Sequence, residues 1–503
     1  MLYLRMKPFR TFIFFAAVFL LIALLALLIP EKGIPMGGKA KLTFISFSDL
    51  SRPDSLAADQ KVAQLMEDFS LSDDPESDQG TDLLLLAEER EEPEGEEEEA
   101  EIEKYEPQVK PANVDSLKKA IHRIQFPEDQ RRLLYPYFQK LDQIASGRTR
   151  HTRILHFGDS QIENNRMTAL IRYRLQKHFG GSGIGLMQAI PLYSRSLAYD
   201  QDQSGDWLRY TYFGKRDSTI MHKSYGIMGA FASVPGPTKA EKWPYLHYKF
   251  NTARRSGQVS RIRIFLHSYV DSARVALQIN GTIYDTLHYR DGFGLADYRH
   301  PGPIKEALLS FHLPEGGRIY GISFESGGGL QVDNIAMRGG SGLIFTAMEL
   351  GSQKAMLDHL SPGLILLQYG GNVVPYMNAR YYQRAFKKQF DFFKRVCPDV
   401  PIILIGPADM SLREDGVFVT YPNLEKIRDA LKNAALESGA GFWDLYEAMG
   451  GHNSMPSFVH ADPPLASSDY VHFSGTGINL IAEMFYNAMM LEYKEFEKER
   501  ISE

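Results

Sequence analysis

The feature that most constrains this fold is a series of short hydrophobic segments separated by stretches with helical periodicity. Five such segments have the length and the turn-forming boundaries of buried β-strands. They cover residues 153–157, 330–336, 364–369, 402–405 and 441–445. Between the first two, Met167, Ile171, Leu175 and Phe179 recur at the spacing of a helix face. This alternation predicts an α/β domain with three layers and a parallel five-stranded sheet.

The stretch between the first and second predicted strands has a different pattern. Residues 261–266 alternate between polar and apolar side chains, and Asn280-Gly281 separates two further strand-like segments. Asn-Gly in this position is a strong signal for a tight hairpin turn. We therefore expect an antiparallel β-sandwich over residues 191–326. It is inserted into the α/β domain, which then consists of residues 114–190 and 327–503.

The N-terminus carries an apolar run over residues 12–29, preceded by Arg5, Lys7 and Arg10. The run is long enough to span a bilayer, and the positive flank predicts that the N-terminus stays in the cytoplasm. We therefore expect residues 1–32 to form a single-pass transmembrane anchor in the inner membrane of the cell, with the remainder on the periplasmic side. A cleaved signal peptide is the alternative.

Residues 33–113 are too polar and too acidic to build a core, because eleven Glu and only one Arg fall within residues 88–103. We interpret this segment as a disordered acidic tether. The whole chain has a net charge of −6, so outside the acidic run it is nearly neutral. It also has no basic cluster, which argues against nucleic acid as a partner.

The single cysteine, Cys397, excludes an intrachain disulfide and a cysteine-based zinc site. We expect neither a metal nor a cofactor.

Two short segments have the composition of a hydrolytic site. The first predicted strand ends in Gly158-Asp159-Ser160, which places Ser160 at a helix N-terminus, where backbone N–H groups stabilise negative charge. Near the C-terminus, Asp469 precedes His472 by three residues, so one turn can hold an imidazole and the carboxylate that orients it. Taken singly, Ser160 is more simply a helix cap and His472 a structural histidine.

Taken together, these segments resemble the GDSL-type or SGNH hydrolase superfamily. Four blocks match in the order found in the family, at residues 157–160, 334–339, 369–372 and 469–472. The resemblance implies a three-layer, flavodoxin-like domain in which Ser160 is the nucleophile, His472 the base and Asp469 its orienting partner. It also implies an oxyanion hole formed by the N–H groups of Ser160 and Gly339 and by the side chain of Asn372.

Several residues depart from this pattern or compete with it. Val373 stands where the family usually has Asp, and residues 226–230, with Gly229, form a second glycine turn. We prefer Gly339, because its distance in sequence from Asn372 suits one strand-helix-strand unit. We interpret the glycine-rich residues 180–185 as a linker, His156 as a packed residue, and Asp409 as part of a solvated loop at the sheet edge where ligands bind.

An exported α/β hydrolase domain with an inserted, carbohydrate-binding-like β-sandwich resembles the carbohydrate O-acetylesterases of bacterial envelopes, including those acting on peptidoglycan. This resemblance implies a serine esterase that removes O-acetyl groups from an envelope polysaccharide or peptidoglycan through an acyl-enzyme. Its partners would be the acylated glycan and the membrane. Two alternatives remain. One is a glycan O-acetyltransferase with the same triad. The other is a glycan-binding protein that has lost catalytic activity, which the departure from the family pattern at Val373 would indicate.

Overall fold

The computed structural model describes residues 34–35, 41–42, 109–120, 122–148, 151–192, 196, 198–234, 243–313 and 317–502. The predicted anchor, residues 1–32, lies outside the described residues and remains a prediction. Among the residues that are described, no helix combines the length and the apolar character needed to cross a bilayer. Within the predicted tether, the two-residue strands β1 (Ile34–Pro35) and β2 (Lys41–Leu42) pair in antiparallel orientation.

All other described elements belong to residues 109–502. The strands, in chain order, are β3 (His151–Gly158), β4 (Gly183–Met187), β5 (Tyr199–Gln203), β6 (Leu208–Thr211), β7 (Ala230–Ser233), β8 (Tyr245–Phe250), β9 (Val259–Ser268), β10 (Ala273–Ile279), β11 (Thr282–Tyr289), β12 (Gly292–Ile304), β13 (Glu306–His312), β14 (Gly317–Glu325), β15 (Gly329–Ala336), β16 (Leu364–Gln368), β17 (Ile402–Ile405), β18 (Ser411–Glu414), β19 (Val417–Thr420) and β20 (Gly441–Trp443). The helices are α1 (Val114–Lys119), α2 (Tyr135–Ala145), α3 (Arg166–Phe179), α4 (Leu350–Leu360), α5 (Ala379–Val396), α6 (Leu424–Glu437), α7 (Leu445–Met449), α8 (Ser454–Val459) and α9 (Gly475–Ser502).

The central sheet consists of five parallel strands in the order β15-β3-β16-β17-β20. Successive residues of a strand face opposite sides, so Leu155 packs with α4, α5 and α6 while Ile154 packs with α2, α3 and α9. Helices therefore cover both faces of the sheet. The predicted α/β class and the parallel five-stranded sheet are confirmed.

The chain between β3 and β15 forms two antiparallel sheets, as predicted for this region. One has the order β11-β10-β13-β8-β5, and the other has the order β12-β9-β14-β7-β6 with β4 paired to β14. The predicted hairpin is present, because Asn280 and Gly281 have positive φ angles of 51° and 82° and join β10 directly to β11. Side chains such as Leu246, Val275 and Ile264 form an apolar core shared by both sheets.

The insertion begins earlier than predicted. Residues 183–187 form β4, which pairs with β14, so the boundary expected at residue 191 lies after the first strand of the six-stranded sheet. The glycine-rich residues 180–185 lead into this strand. A Cβ on Gly181 would lie 2.4 Å from the carbonyl oxygen of Leu330, and Gly181 has a φ of +109°. Glycine is therefore required where this segment crosses the start of β15.

A buried group of charged side chains, which we call the ionic junction, connects the insertion to the parallel sheet. Arg153 on β3 donates to Asp333 on β15 and to Glu325 on β14. Arg261 on β9 lies 3.2 Å from Glu325, and Arg263 lies 3.6 Å from it. Because the pairs are nearly inaccessible and join strands of two sheets, the parallel sheet and the six-stranded sheet, they fix the insertion against the α/β domain.

Candidate active site

The end of β3 places Ser160 at the carboxyl edge of the parallel sheet. Gly158 permits the turn, because a Cβ there would lie 2.9 Å from Ile162 and 3.0 Å from the carbonyl oxygen of Gln368. Asp159 then caps the following turn by accepting the N–H of Gln161 at 3.0 Å. Burial raises the pKa of Asp159 to about 6, against the opposing hydrogen bond from Gln161. The hydrogen bond between Asp159 and Gln161 thus fixes the turn in which Ser160 lies.

Ser160, His472 and Asp469, which we call the triad, form a continuous chain of hydrogen bonds. The Nδ1 atom of His472 lies 2.7 Å from Oδ2 of Asp469, and its Nε2 atom lies 3.0 Å from Oγ of Ser160. Burial opposes ionisation of Asp469, but hydrogen bonds from His472 outweigh it and lower the pKa of Asp469 to about 2. A carboxylate only accepts, so Nδ1 carries the proton and Nε2 accepts from the Ser160 hydroxyl.

The loop that carries His472 is tied to the turn that carries Ser160. The side chain of Gln161 donates to the carbonyl oxygen of Val471 at 2.9 Å, and the guanidinium of Arg166 donates to that of Phe473. Asp469 also accepts the backbone N–H groups of Val471 and His472 at 2.9 and 3.0 Å. These bonds hold the imidazole in register with the serine.

The predicted oxyanion donors come from the ends of the two strands that flank β3. Gly339 follows β15 with a φ of +74°, in a turn where Gly340 donates to Met337 at 2.8 Å and Met337 donates to Gly158 at 2.7 Å. Asn372 follows β16, and its Nδ2 atom donates to the carbonyl oxygen of Gly340 at 3.2 Å. This bond uses one amide hydrogen and leaves the second for a ligand.

A cavity of about 220 Å³ opens beside these groups. It is lined by Ser160 and Asp159 from the first strand end, by Gly339 and Asn372, and by Val471 from the histidine loop. Many of the other lining residues are apolar or aromatic, among them Pro375, Tyr376, Pro407, Ala408, Met410 and Tyr421.

The two departures from the family pattern have structural explanations. Val373 is fully buried in the apolar cluster under α5 and α6, so packing holds the turn after Asn372 in place of a polar anchor. Gly229 precedes β7 of the insertion, and a Cβ there would lie 3.0 Å from Ile344. It therefore packs at the junction with the α/β domain, while Gly339 lines the cavity.

His156 and Asp409, which the sequence also singles out, are buried in hydrogen-bond networks. His156 lies between the side chains of Gln368, at 3.1 Å, and Thr168, at 3.0 Å, and burial lowers its pKa to about 4. It is therefore a packed neutral residue, as predicted. Asp409 was expected in a solvated loop, but its carboxyl is buried and accepts from Thr420 and from the N–H of Met455. It fixes the loops around the cavity.

Within the described ranges, no group of three or more His, Cys, Asp or Glu side chains is arranged to hold a metal ion. A serine hydroxyl bonded to an imidazole, beside a small cavity that Gly339 and Asn372 also line, has the groups needed to attack an ester carbonyl and stabilise the resulting oxyanion.

No protein-family model and no curated protein sequence matches this chain. Among solved structures, a peptidoglycan O-acetylesterase captured in action aligns with a TM-score of 0.59 at 20% identity, covering 72% of this chain and 96% of that one. A family two carbohydrate esterase from Cellvibrio japonicus aligns with a TM-score of 0.25 at 8% identity, covering 59% and 98%. The likeness to the peptidoglycan O-acetylesterase is a likeness of fold.

Proposed function

We propose that the protein is a serine esterase that removes O-acetyl groups from an envelope polysaccharide or peptidoglycan. The observation that carries this proposal is the hydrogen-bonded chain Ser160–His472–Asp469, which ends in a cavity lined by Gly339 and Asn372. The fold shared with a peptidoglycan O-acetylesterase supports the choice of substrate class. We further propose that residues 1–32 anchor the protein in the inner membrane, with the catalytic domain on the periplasmic side.

In the acylation step, Oγ of Ser160 attacks the acetyl carbonyl carbon while Nε2 of His472 accepts the hydroxyl proton. The negative charge moves to the carbonyl oxygen, where the N–H groups of Ser160 and Gly339 and the amide of Asn372 donate to it. Collapse of this intermediate breaks the bond to the sugar oxygen, and His472 returns the proton to that oxygen. The deacetylated glycan leaves, and the acetyl group stays on Ser160.

In the deacylation step, a water molecule takes the place of the sugar hydroxyl. His472 accepts a proton from the water, the resulting oxygen attacks the acetyl carbon, and the proton returns to Ser160 as acetate leaves. Asp469 stays ionised throughout, since its pKa is about 2, and it stabilises the imidazolium that forms in both steps. A sugar hydroxyl in place of water would make the same triad a transferase.

The experiment is to measure acetate release by the full-length protein from O-acetylated peptidoglycan and from 4-nitrophenyl acetate. We expect release from both, loss of release in Ser160→Ala, and no change in Ser218→Ala, which alters an exposed serine remote in sequence from the motifs. Recovery of the acetyl group on an added acceptor sugar would identify a transferase. Glycan binding without any ester turnover would show the inactive binding protein and overturn the proposal.

A further inference from the structure

Gln368 is a buried residue of the cavity lining that has no role in the mechanism described above. It is the last residue of β16, and its register partner on β3 is Gly158. It is 3% exposed, and it lines the cavity together with Ser160 and Asn372. Its side chain therefore lies at the edge of the parallel sheet that carries the nucleophile.

The orientation of the Gln368 amide follows from a chain of hydrogen bonds that begins at a backbone carbonyl. Asn334 contacts the carbonyl oxygen of Ile162 at 2.8 Å, and a carbonyl only accepts, so the contacting atom is the amide nitrogen Nδ2. The same nitrogen lies 2.7 Å from Oγ1 of Thr168, to which it also donates. Thr168 in turn donates its hydroxyl proton to Nδ1 of His156, at 3.0 Å.

His156 transmits this orientation to Gln368. Because Nδ1 accepts from Thr168, the neutral imidazole carries its proton on Nε2, which lies 3.1 Å from Oε1 of Gln368. Burial lowers the pKa of His156 to about 4, which agrees with a neutral ring. The network thus assigns the amide of Gln368, with its oxygen towards His156 and its nitrogen turned away from the ring.

The nitrogen of this amide has two hydrogens to donate. Among the residues that the structure describes, none accepts a hydrogen bond from Nε2 of Gln368, although this atom is buried. A buried donor without an acceptor costs free energy, and such groups are rare in native proteins. Because Gln368 lines the cavity, an oxygen atom of a bound substrate can supply the acceptor.

We infer that Nε2 of Gln368 donates a hydrogen bond to the carbonyl oxygen of the acyl group under attack, as a further donor beside Asn372. This inference rests on the proposed esterase function and adds a catalytic residue to it. Surrounding atoms cover the nitrogen, but the last torsion of a glutamine side chain is soft, so the amide can tilt towards the cavity. The bond strengthens as negative charge develops on the oxygen, so it acts mainly on kcat.

The network behind Gln368 then has a function of its own. His156 and Thr168 are positioning residues, because they hold the amide oxygen and thereby keep the nitrogen available as a donor. A free amide could turn over and present its oxygen to the developing charge, which would repel it. Thr168→Val removes the donor to His156, and it should lower kcat several-fold with little change in KM.

The main test is Gln368→Glu in the full-length protein, with 4-nitrophenyl acetate as substrate. Glutamate keeps the size of the side chain and the oxygen that accepts from His156, but it donates only when protonated. At pH 8 we expect kcat to fall about 10²-fold relative to the wild type. The ratio of variant to wild-type kcat should rise at least tenfold as the pH is lowered to 5, because the protonated carboxyl donates in place of the amide.

Two further variants separate this role from a structural one. Gln389→Glu makes the same change at a buried glutamine outside the cavity lining, whose Nε2 donates to Thr346 at 2.9 Å, and it should keep the wild-type kcat at both pH values. Gln368→Met removes the donor without adding charge, so its loss of kcat should be the same at pH 5 and pH 8.

Covalent labelling gives a readout that does not depend on turnover. The rate at which an aryl phosphonate ester labels Ser160 should fall in Gln368→Glu at pH 8 and recover at pH 5, because a phosphonyl oxygen takes the place of the carbonyl oxygen. A ratio of kcat values that does not change with pH would overturn the inference. If Gln368→Glu fails to fold, unchanged kcat in Gln368→Met would overturn it. If the wild-type protein hydrolyses no ester at all, the proposed function fails instead.

Discussion

The triad and the ionic junction each hold a carboxylate in its ionised form, but by different means. Asp469 is held by hydrogen bonds from one neutral imidazole and from backbone N–H groups, and its side chain is 44% exposed. Glu325 is held by the positive charges of buried arginines, with a further bond from Ser323, and its side chain is 3% exposed. For both residues burial opposes ionisation, and the partners lower the pKa to about 2.

A carboxylate kept ionised by its partners thus serves catalysis in the triad and stability in the ionic junction. In the junction every charge is sealed between strands, so losing one partner leaves buried guanidiniums uncompensated and costs stability. In the triad the carboxylate of Asp469 is 44% exposed, and the loop that carries it is held by separate hydrogen bonds. Changes there should therefore affect turnover and leave the fold intact.

The largest effect should come from Asp469→Asn. The substitution removes the charge that orients His472 and stabilises the imidazolium, so kcat for 4-nitrophenyl acetate should fall roughly 10⁴-fold. The melting temperature should stay close to that of the wild type, because the carboxylate is half exposed. Asp358→Asn, at an exposed salt bridge on α4, is the matched control for kcat. A large loss of stability in Asp469→Asn would erase the contrast with the junction.

Glu325→Gln should have the opposite signature. It leaves Arg153, Arg261 and Arg263 buried without their shared carboxylate, which typically costs about 3–5 kcal/mol of unfolding free energy. Denaturant unfolding measures the loss, and Glu306→Gln, at a partly exposed pair with His247, should cost about 1 kcal/mol or less. Equal stability of the two variants would mean that the junction does not hold the insertion in place.

Asn372→Ala tests whether the donors of the site act in the transition state. Removing one oxyanion donor should lower kcat by roughly 10²- to 10³-fold with little change in KM. Steady-state kinetics on 4-nitrophenyl acetate gives both values. A rise in KM with an unchanged kcat would instead place Asn372 in ground-state binding.

The smallest effect concerns the pH dependence of stability. Glu325 has a pKa lowered from 4.5 to about 2, so it contributes stability at and above pH 4.5 that is lost as the pH falls from there towards 2, on the order of 3 kcal/mol. Thermal melts from pH 7 to pH 2 should show this loss in the wild type and in Asp469→Asn. In Glu325→Gln the melting temperature should fall less steeply with falling pH. A melting-temperature curve for that variant parallel to the wild-type curve would contradict the claim that Glu325 causes the loss.

Much of the site follows from local sequence patterns. Parallel strands that end in Gly158 and Gln368 share one edge, so residues just beyond them, Ser160 and Asn372, meet although they are far apart in the chain. The spacing of Asp469 and His472 likewise fits a single turn. These predictions needed only strand ends and short blocks, which the sequence displays directly.

Other features depend on how distant surfaces approach one another. Asp409 is buried because Thr420 and Met455 fold over it, and no nearby residue signals this. The start of the insertion at Gly183 is set by pairing with β14, more than a hundred residues later.

The most direct test of this account is covalent trapping of the nucleophile in the full-length protein. An aryl phosphonate ester should react once per molecule, and peptide mapping by mass spectrometry should place the adduct on Ser160. His472→Ala should slow labelling strongly, because the hydroxyl then has no base. Labelling at another residue, or labelling of Ser160 at the same rate without His472, would contradict the claim that the imidazole activates this serine.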